Sequence, residues 1–390
     1  MTARILGLEA GFARVVVTPE KPVFLAGLSR NRVSRGVHDD LYVRAVVLCD
    51  NSRTVALVGV DSIGLMYDYL KRVEGKLLKR GVALLVGSSH DHSSPDVIGL
   101  WGPSSEETGV DDEYLDYLLE SMLEAVEEAL SEVSRVTLEV GYSRLPPGVA
   151  KNTRDPGFID FDAPYMVFRR GGEVLGLLVN FGLHPEVLWS DNRLVTADFV
   201  HYMLGSIEAE LGGVAIFLNG ALGGMVTPNV ESHTYEEAER IGTTIASSII
   251  GAVRNARVEY EAFGQLKLAR KKIALPVVNE KLIQAVERGV IRRRVLEPSS
   301  VETEVNLLEI GPFVQLVTLP GEPLPKVGFK AKSLMNKRYR FLVGLGNDEI
   351  GYIIDLEDWN PQNYEESMSL GPLTAGILLS AIAELASASH

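Results

Sequence analysis

Residues 82–96 contain the feature that most restricts how this chain can fold, an apolar run that stops at a pair of histidines. The run is rich in leucine and valine, which predicts a strand buried on both faces. It ends in His90-Asp91-His92, and the Ser-Ser-Pro sequence that follows cannot continue a strand. Side chains two residues apart on an extended backbone point the same way. The sequence therefore predicts either two imidazoles delivered together to a reactive centre or a pair of surface histidines.

Two later predicted strands end in a similar way. Residues 174–181 form an apolar run that leads to His184 and Pro185, and another strand leads to Glu322 and Pro323. Strand ends are where α/β proteins place their chemistry. Two histidines and one glutamate are sufficient ligands for a catalytic zinc ion that keeps one position open for water. The spacing predicts a mononuclear metal site, and the alternative is a set of histidines that are each satisfied separately.

The remaining pattern predicts an α/β fold, a single large domain over residues 1–390 with mixed β-sheets flanked by helices. Strand, helix and strand alternate from residue 54 to residue 88, and further helices are predicted over 112–133, 198–211, 235–253, 279–294 and 373–388. The loop 97–110 carries Trp101 among glycines, which is typical of a flap over a site or of a surface loop whose tryptophan enters the core. His201 is expected to be structural, and His38, His233 and His390 are expected at the surface.

Composition excludes several functional classes. The net charge of −14 argues against nucleic acid or an anionic membrane surface as the main partner. No apolar run approaches the ~20 residues that span a bilayer, and the N-terminus lacks the pattern of a signal peptide, which predicts a cytoplasmic protein. A single cysteine, Cys49, excludes an internal disulfide framework. Scarce glutamine beside plentiful arginine and glutamate is typical of a thermophilic source.

Several motifs in order resemble the neutral (non-lysosomal) ceramidase family. The matching stretches are 11–19 (GFARVVVTP), 36–45 (GVHDDLYVRA), 90–95 (HDHSSP), His184, 320–322 (PGE) and 344–352 (GLGNDEIGY), followed by Tyr364-Glu365. The resemblance runs from the first strand nearly to the C-terminus. It implies the fold of the ceramidase catalytic domain, without the C-terminal β-sandwich domain that full-length ceramidases carry.

The resemblance also implies a zinc-dependent amidase with one Zn²⁺ per chain. Carried over by position, it implies that the metal ligands are His90, His184, Glu322 and Tyr352, although Tyr352 could instead lie near the zinc without bonding it. His92 would be the general base, and Tyr364 would donate a hydrogen bond to the oxyanion. The implied substrate is a small-molecule or lipid-like N-acyl compound, with ceramide itself left open.

Two positions depart from the family pattern. The family's Gly-Asp-Val-Ser-Pro-Asn reads GMVTPN at 224–229, so Thr227 stands where the family has serine. We expect Thr227 to be a turn residue or a hydrogen-bond donor to the substrate rather than a nucleophile. The family's arginine corresponds to Arg154, displaced by one residue, with an implied role at the oxyanion.

Two rival functions follow from the same residues. One is a two-metal ester or phosphate hydrolase in which Asp91, Asp96 or Asp198 bridges the ions. The other is a catalytically inactive relative that binds a ligand, which the departures at Met225 and Thr227 favour. Asp61 and Asp198 are further candidates for orienting the metal-binding histidines, or else are carboxylates at element ends with no role at the metal.

Overall fold

The computed structural model describes residues 2–296 and 299–388, so His390 lies outside the described residues. In chain order the strands are β1 Thr2–Val16, β2 Gly36–Val37, β3 Tyr42–Cys49, β4 Thr54–Val60, β5 Val82–Ser88, β6 Ser134–Arg144, β7 Ala150–Asn152, β8 Asp162–Arg170, β9 Glu173–Phe181, β10 Leu194–Val195, β11 Val214–Asn219, β12 Val226–Pro228, β13 Val258–Phe263, β14 Leu266–Pro276, β15 Val295–Leu296, β16 Ser300–Ile310, β17 Val314–Thr318, β18 Glu322–Pro323, β19 Tyr339–Val343 and β20 Tyr352–Ile353.

The helices are α1 Tyr67–Leu78, α2 Asp112–Ser131, α3 Phe199–Leu211, α4 Tyr235–Arg254, α5 Glu280–Glu287, α6 Pro325–Leu334, α7 Tyr364–Ser367 and α8 Thr374–Ala388, with a short 3₁₀ helix at Leu356–Asp358. Side chains at the N-caps explain several helix starts, because Asp111 accepts a hydrogen bond from the backbone NH of Tyr114, and Thr234 accepts one from that of Glu237.

Two mixed β-sheets make up the centre of the fold. The larger sheet has the order β11-β9-β8-β6-β1-β3-β4-β5, with β13 paired to β1, and the smaller has the order β14-β16-β17-β19, with β15 paired to β16. The pairs β4–β5, β9–β11 and β17–β19 are parallel. Parallel neighbours end at the same edge, and β11 also contacts β4 and β5 from the other end of the strand order, so the loops after β4, β5, β9 and β11 can meet.

Four layers follow from the way the apolar faces are covered. Helices α1 to α4 pack on the outer face of the larger sheet, around residues such as Leu118 and Phe199. The two sheets pack on one another through an apolar layer that includes Leu57, Leu178 and Phe341. Helices α6 and α8 cover the outer face of the smaller sheet. The predicted fold class, α/β with mixed sheets flanked by helices, is confirmed.

The largest error in the predicted elements is the helix expected over 279–294. Helix α5 ends at Glu287, and Gly289 adopts φ +74°, a left-handed conformation that ends a helix readily. The chain therefore turns at Gly289, and the residues that follow it run back toward the loops at the ends of the strands. Helix α6 was not anticipated, because its buried face is short and it begins at Pro325, just after Pro323.

Candidate metal centre

His90 reaches the site through a turn that is tied to the end of the neighbouring strand. The backbone NH groups of His90 and Asp91 both donate to the carbonyl of Ser62, just beyond β4. His90 itself adopts φ 66°, an uncommon conformation for a residue with a side chain. Such backbone strain persists where surrounding contacts over-determine it. Here the contacts direct the imidazole across the ends of β4 and β5.

His184 arrives from the end of β9, and Asn219 at the end of β11 connects the two histidine loops. The Asn219 side-chain amide donates to the carbonyls of Ser89 (2.7 Å) and Leu183 (2.9 Å). Its Oδ1 atom accepts from the backbone NH of Leu183 at 3.1 Å. Asn219 is completely buried. Sequence reasoning missed this residue, although it ends a predicted strand just as the histidines follow theirs.

Glu322 completes the cluster from β18, which follows β17 of the smaller sheet and pairs with β20. Strand β18 carries Glu322 next to Tyr352 of β20, and the Glu322 Oε2 atom lies 3.3 Å from Nε2 of His90 and 3.3 Å from Nε2 of His184. Two ligands of a tetrahedral zinc ion at about 2.0–2.1 Å are about 3.3–3.4 Å apart. The structure thus brings together the two predicted histidines and the predicted glutamate at distances that fit a shared cation.

The protonation of these histidines also suits a metal. The Nδ1 atom of His90 donates to the carbonyl of Ile63 at 2.6 Å, and that of His184 donates to the carbonyl of Val226 at 2.9 Å. A carbonyl oxygen only accepts, so each Nδ1 carries a proton and each Nε2 points at Glu322. Burial opposes charge on either group, yet Glu322 raises the pKa of His90 to about 9, and the two imidazoles lower the pKa of Glu322 to about 2. The site therefore favours a positive charge between these side chains.

His92 lies beside this cluster but is held differently. Its ring centroid is 5.0 Å from that of His90 and 5.5 Å from that of His184, and the ligand atoms of the three imidazoles lie within 4.8 Å of one another. Neither ring nitrogen of His92 has a hydrogen-bond partner. Burial and the two neighbouring imidazoles keep the pKa of His92 well below its usual value. A neutral, unpaired imidazole beside a cation site can accept a proton.

Two buried carboxylates that sequence reasoning missed lie around the histidines. Glu186 faces His92, with Oε2 at 3.3 Å from Nδ1. Glu349 forms a second group with His90 and Glu322, and the ligand atoms of that group also lie within 4.8 Å of one another. Glu186 follows His184 by two residues and Glu349 lies inside the stretch 344–352, but nothing in the sequence shows which way either side chain points.

The two predicted tyrosines lie at the same end of the site. Their ring centroids are 6.1 Å apart, and the Tyr352 hydroxyl lies 3.4 Å from the sulfur of Met225. Desolvation of the hydroxyl and the charge of Glu322 raise the pKa of both groups, so both keep their protons. The effect of burial is greater for Tyr352, which is 5% exposed, than for Tyr364, which is 58% exposed. Tyr352 and Tyr364 are therefore placed as neutral hydrogen-bond donors beside the cluster.

Arg154 and Thr227 are placed elsewhere. The Arg154 guanidinium pairs with Glu365 (3.1 Å) and Glu366 (2.7 Å) and donates to the carbonyl of Asp358. Thr227 lies in β12, adjacent to the Val226 carbonyl that accepts from His184. Among the described residues, those that line the cavity next to the cluster include neither Arg154 nor Thr227.

The aspartates named as bridging or orienting groups have local partners. Asp91 Oδ1 accepts from the backbone of Ser93, and Asp96 accepts from the backbone NH groups that follow it. Asp198 caps α3 and Asp61 accepts from the backbone NH of Tyr42. Within the described part of the chain, the candidate metal clusters contain none of the four. The orienting acceptors of His90 and His184 are backbone carbonyls instead.

The other histidines match their predicted settings where they are described. His38 and His233 are exposed, and His201 is half-buried. His38 pairs with Asp39 at 2.8 Å and stacks on Tyr235, while His201 lies 3.5 Å from the other oxygen of Asp39. None of these contacts involves the cluster.

A cavity of about 860 Å³, counted with its open mouth, leads away from the cluster. Its polar end is formed by His90, His92, Glu322, Glu349, Tyr352 and Tyr364. Its walls are apolar and include Ile98, Leu100, Trp101, Leu282, Ile283 and Val286. The loop with Trp101 lines this cavity, and Trp101 also packs against the apolar core, so the structure has a feature of each of the two interpretations. Arg293 also faces the cavity, but its guanidinium is paired with Asp348.

Comparison with known proteins gives matches in structure and none in sequence. No family model and no curated protein matches the chain. The crystal structure of neutral ceramidase from Pseudomonas aeruginosa matches with a TM-score of 0.83 at 17% identity, over 98% of this chain and 74% of that chain. A structure described as ceramidase complexed with C2 matches with a TM-score of 0.84 at 16% identity, over 98% of this chain and 75% of that one. At these identities the likeness shows a shared fold.

Proposed function

We propose that this protein is a metal-dependent hydrolase that cleaves the amide bond of an N-acyl substrate, with one zinc ion per chain. The proposal rests on one observation: three neighbouring imidazoles differ in their hydrogen-bond partners. His90 and His184 each direct Nε2 at one oxygen of Glu322 from 3.3 Å, with Nδ1 donating to a backbone carbonyl. His92 makes neither contact: its ring nitrogens have no hydrogen-bond partner, and its Nδ1 atom lies 3.3 Å from Oε2 of Glu186.

The residues fit a metal ion. His184 Nε2 and Glu322 Oε2 are buried and lack hydrogen-bond partners, which is costly unless a cation lies between them. His90, His184 and Glu322 would hold the ion, with Tyr352 next to it as a fourth ligand or as a hydrogen-bond donor. Zinc bound here would lower the pKa of a water molecule and polarise the substrate carbonyl. The likeness in fold to two ceramidase structures supports the same class of hydrolase.

The protein's own groups would perform the proton transfers. His92 is neutral and buried, so it can accept a proton from the attacking water and return it to the nitrogen of the leaving amine. The Tyr364 hydroxyl, neutral and at the cavity wall, would donate to the carbonyl oxygen as negative charge develops. We assign Arg154 to holding α7, which begins with Tyr364, rather than to the oxyanion itself. Thr227 would support the turn that carries Val226.

The apolar lining of the cavity is the evidence for a substrate that has an apolar acyl chain next to the scissile bond. Its walls are aliphatic and aromatic, and burying each CH₂ group of a substrate there would contribute roughly 0.8 kcal/mol. Phosphate esters fit poorly, because the cavity faces buried carboxylates and its arginine is already paired. No helix among the described residues has the length and apolar character needed to cross a bilayer.

The test combines metal analysis with a series of N-acyl amides of increasing chain length. We expect one bound zinc ion per chain, hydrolysis that a chelator abolishes and zinc restores, and a specificity constant that increases with chain length. Hydrolysis that survives complete removal of the metal would contradict the proposal. Two tightly bound ions per chain would instead favour the two-metal hydrolase.

A further inference from the structure

Glu186 is a buried carboxylate whose position the amide-hydrolysis scheme above leaves unexplained. The residue is 2% exposed, and neither of its carboxylate oxygens has a hydrogen-bond partner. An unpaired carboxylate in the protein interior costs several kcal/mol. Other contacts of the fold must offset this cost. A specific interaction of the Glu186 carboxylate with a neighbouring group is one way to do so.

The partner that the structure offers is His92. The Glu186 Oε2 atom lies 3.3 Å from Nδ1 of His92, and both side chains are enclosed. The backbone holds the two loops together, because the NH of His92 donates to the carbonyl of Pro185. This main-chain hydrogen bond places the next residue, Glu186, beside the imidazole, and it does not involve the Glu186 side chain.

Packing against Gly27 also restricts the His92 ring. A Cβ atom on Gly27 would come within 2.4 Å of His92 Cγ and 2.6 Å of its Nδ1 atom. The ring therefore lies directly against the backbone at Gly27, with Glu186 close to its Nδ1 atom, and little freedom remains for it to rotate. A ring held in this way presents one nitrogen to Glu186 and the other to the rest of the site.

We propose that Glu186 is the positioning residue for His92: its carboxylate accepts the Nδ1 proton, so that Nε2 carries the lone pair that takes a proton from water. The proton-accepting step rests on the proposed hydrolase function, whereas the choice of tautomer rests on geometry alone. In the scheme, an O–H bond of water breaks as Nε2 becomes protonated. The same proton then passes to the amine nitrogen as the C–N bond breaks, which leaves a carboxylic acid and an amine.

In this arrangement the three imidazoles differ in the group that accepts the Nδ1 proton. His90 and His184 donate to neutral backbone carbonyls, whereas His92 faces a carboxylate. A negative acceptor makes the imidazole a stronger proton acceptor and stabilises the imidazolium that forms during the reaction. The proposed base and the proposed ligands thus differ in the group that the Nδ1 atom of each imidazole faces.

The experiment uses the full chain loaded with zinc and the variants Glu186→Ala, Glu186→Gln and, as a matched control, Asp191→Asn, which removes an exposed carboxylate from the same loop. Three quantities are measured: bound zinc per chain, kcat and KM with an N-acyl amide, and the ring ¹⁵N shifts of His92 in the metal-free protein. Circular dichroism checks that each variant is folded.

For Glu186→Ala we expect kcat to fall by about 10- to 100-fold with KM nearly unchanged, zinc stoichiometry to be retained, and the Nδ1-protonated tautomer of His92 to lose its dominance. Glu186→Gln keeps an acceptor oxygen, so it should keep the tautomer and lose less kcat than Glu186→Ala. Asp191→Asn should resemble the unmodified protein in all three measurements.

An unchanged tautomer and kcat in Glu186→Ala would overturn the proposal. Loss of a bound zinc ion would also overturn it, because Glu186 would then be a ligand. If the unmodified protein hydrolyses no amide, the proposed function fails, and the ¹⁵N shifts still decide whether Glu186 sets the tautomer. If Glu186→Ala does not fold, the same decision rests on Glu186→Met, which fills more of the space and also removes the acceptor: an unchanged tautomer and kcat in it would overturn the proposal.

Discussion

The Oε2 atom of Glu322 lies 3.3 Å from Nε2 of His184. His184 follows β9 of the larger sheet, and Glu322 stands in β18, which follows β17 of the smaller sheet. A cation between them would therefore connect the two halves of the structure, and metal binding is expected to stabilise the fold as well as to support catalysis.

We predict that Glu322→Ala and His184→Ala each reduce zinc affinity by at least about 100-fold, because each removes a proposed ligand whereas loss of an outer partner alone costs 10- to 100-fold. His92→Ala serves as the comparison and should keep zinc while losing hydrolysis. Competition with a chelator of known affinity measures all three. Comparable zinc loss in His92→Ala would mean that three imidazoles form the metal site.

Gly27→Ala should inactivate the protein without removing the metal. Gly27 adopts φ +97°, and an added Cβ would press against the His92 ring, so the ring must move or the loop must deform. We expect a loss of kcat of at least about 10-fold and a loss of stability of about 1–3 kcal/mol.

The matched control for this substitution is Gly205→Ala. Gly205 lies inside α3 with no atom within 4 Å of the added Cβ, so alanine there should stabilise the protein by about 0.5–1 kcal/mol. Full activity in Gly27→Ala would show that the position of His92 is not critical.

Arg154→Met is expected to destabilise the fold through its two carboxylate partners. Glu365 and Glu366 are each 5% exposed, and losing their shared guanidinium leaves buried charge unpaired, at a cost of about 3–5 kcal/mol. Urea unfolding measures the loss. The double variant Arg154→Met/Glu366→Gln should recover part of both stability and hydrolysis. If stability returns and hydrolysis does not, Arg154 acts on the substrate, as the family resemblance implied.

Val286→Phe should shorten the substrates that the protein accepts. Val286 lies on α5 and lines the apolar wall, so a larger side chain occupies space that the far end of an acyl chain would fill. We expect KM to rise steeply for long acyl chains and little for short ones. Gln284→Ala changes an exposed residue of the same helix and should leave the dependence on chain length intact. A uniform rise in KM across the series would place the acyl chain elsewhere.

Asp61→Asn should change how stability depends on pH. Burial raises the pKa of Asp61 to about 6. The unfolded chain releases this proton near pH 4, so between about pH 4 and pH 6 the unfolded state binds fewer protons and the free energy of unfolding falls as pH rises. This one group lowers stability by up to about 3 kcal/mol over that interval.

Because asparagine does not titrate, the stability of Asp61→Asn relative to the unmodified protein should be greater at pH 7 than at pH 4 by up to about 3 kcal/mol. Urea unfolding of both proteins at the two pH values gives this difference. An equal difference at both pH values would show that Asp61 is charged in the folded state at pH 7 without penalty.

The strand-end residues His90, His184 and Glu322 could be read from the sequence because each follows an apolar run and precedes a proline or a turn. That pattern is local, so it does not depend on how the strands are arranged. The same is true of α2 and α4, whose apolar residues repeat at helical spacing. The predicted helix over 279–294 failed because Gly289 ends it after only two turns.

Only the tertiary structure decided which groups meet. The pairing of His92 with Glu186 depends on a hydrogen bond between two loops, and the contacts of Asn219 depend on the parallel arrangement of β9 and β11. Arg154 turned toward Glu365 and Glu366 because those carboxylates are buried close to it. The sequence determined that several chemically active side chains stand at strand ends. The division into ligands, base and supporting residues that we propose rests on contacts between distant parts of the chain.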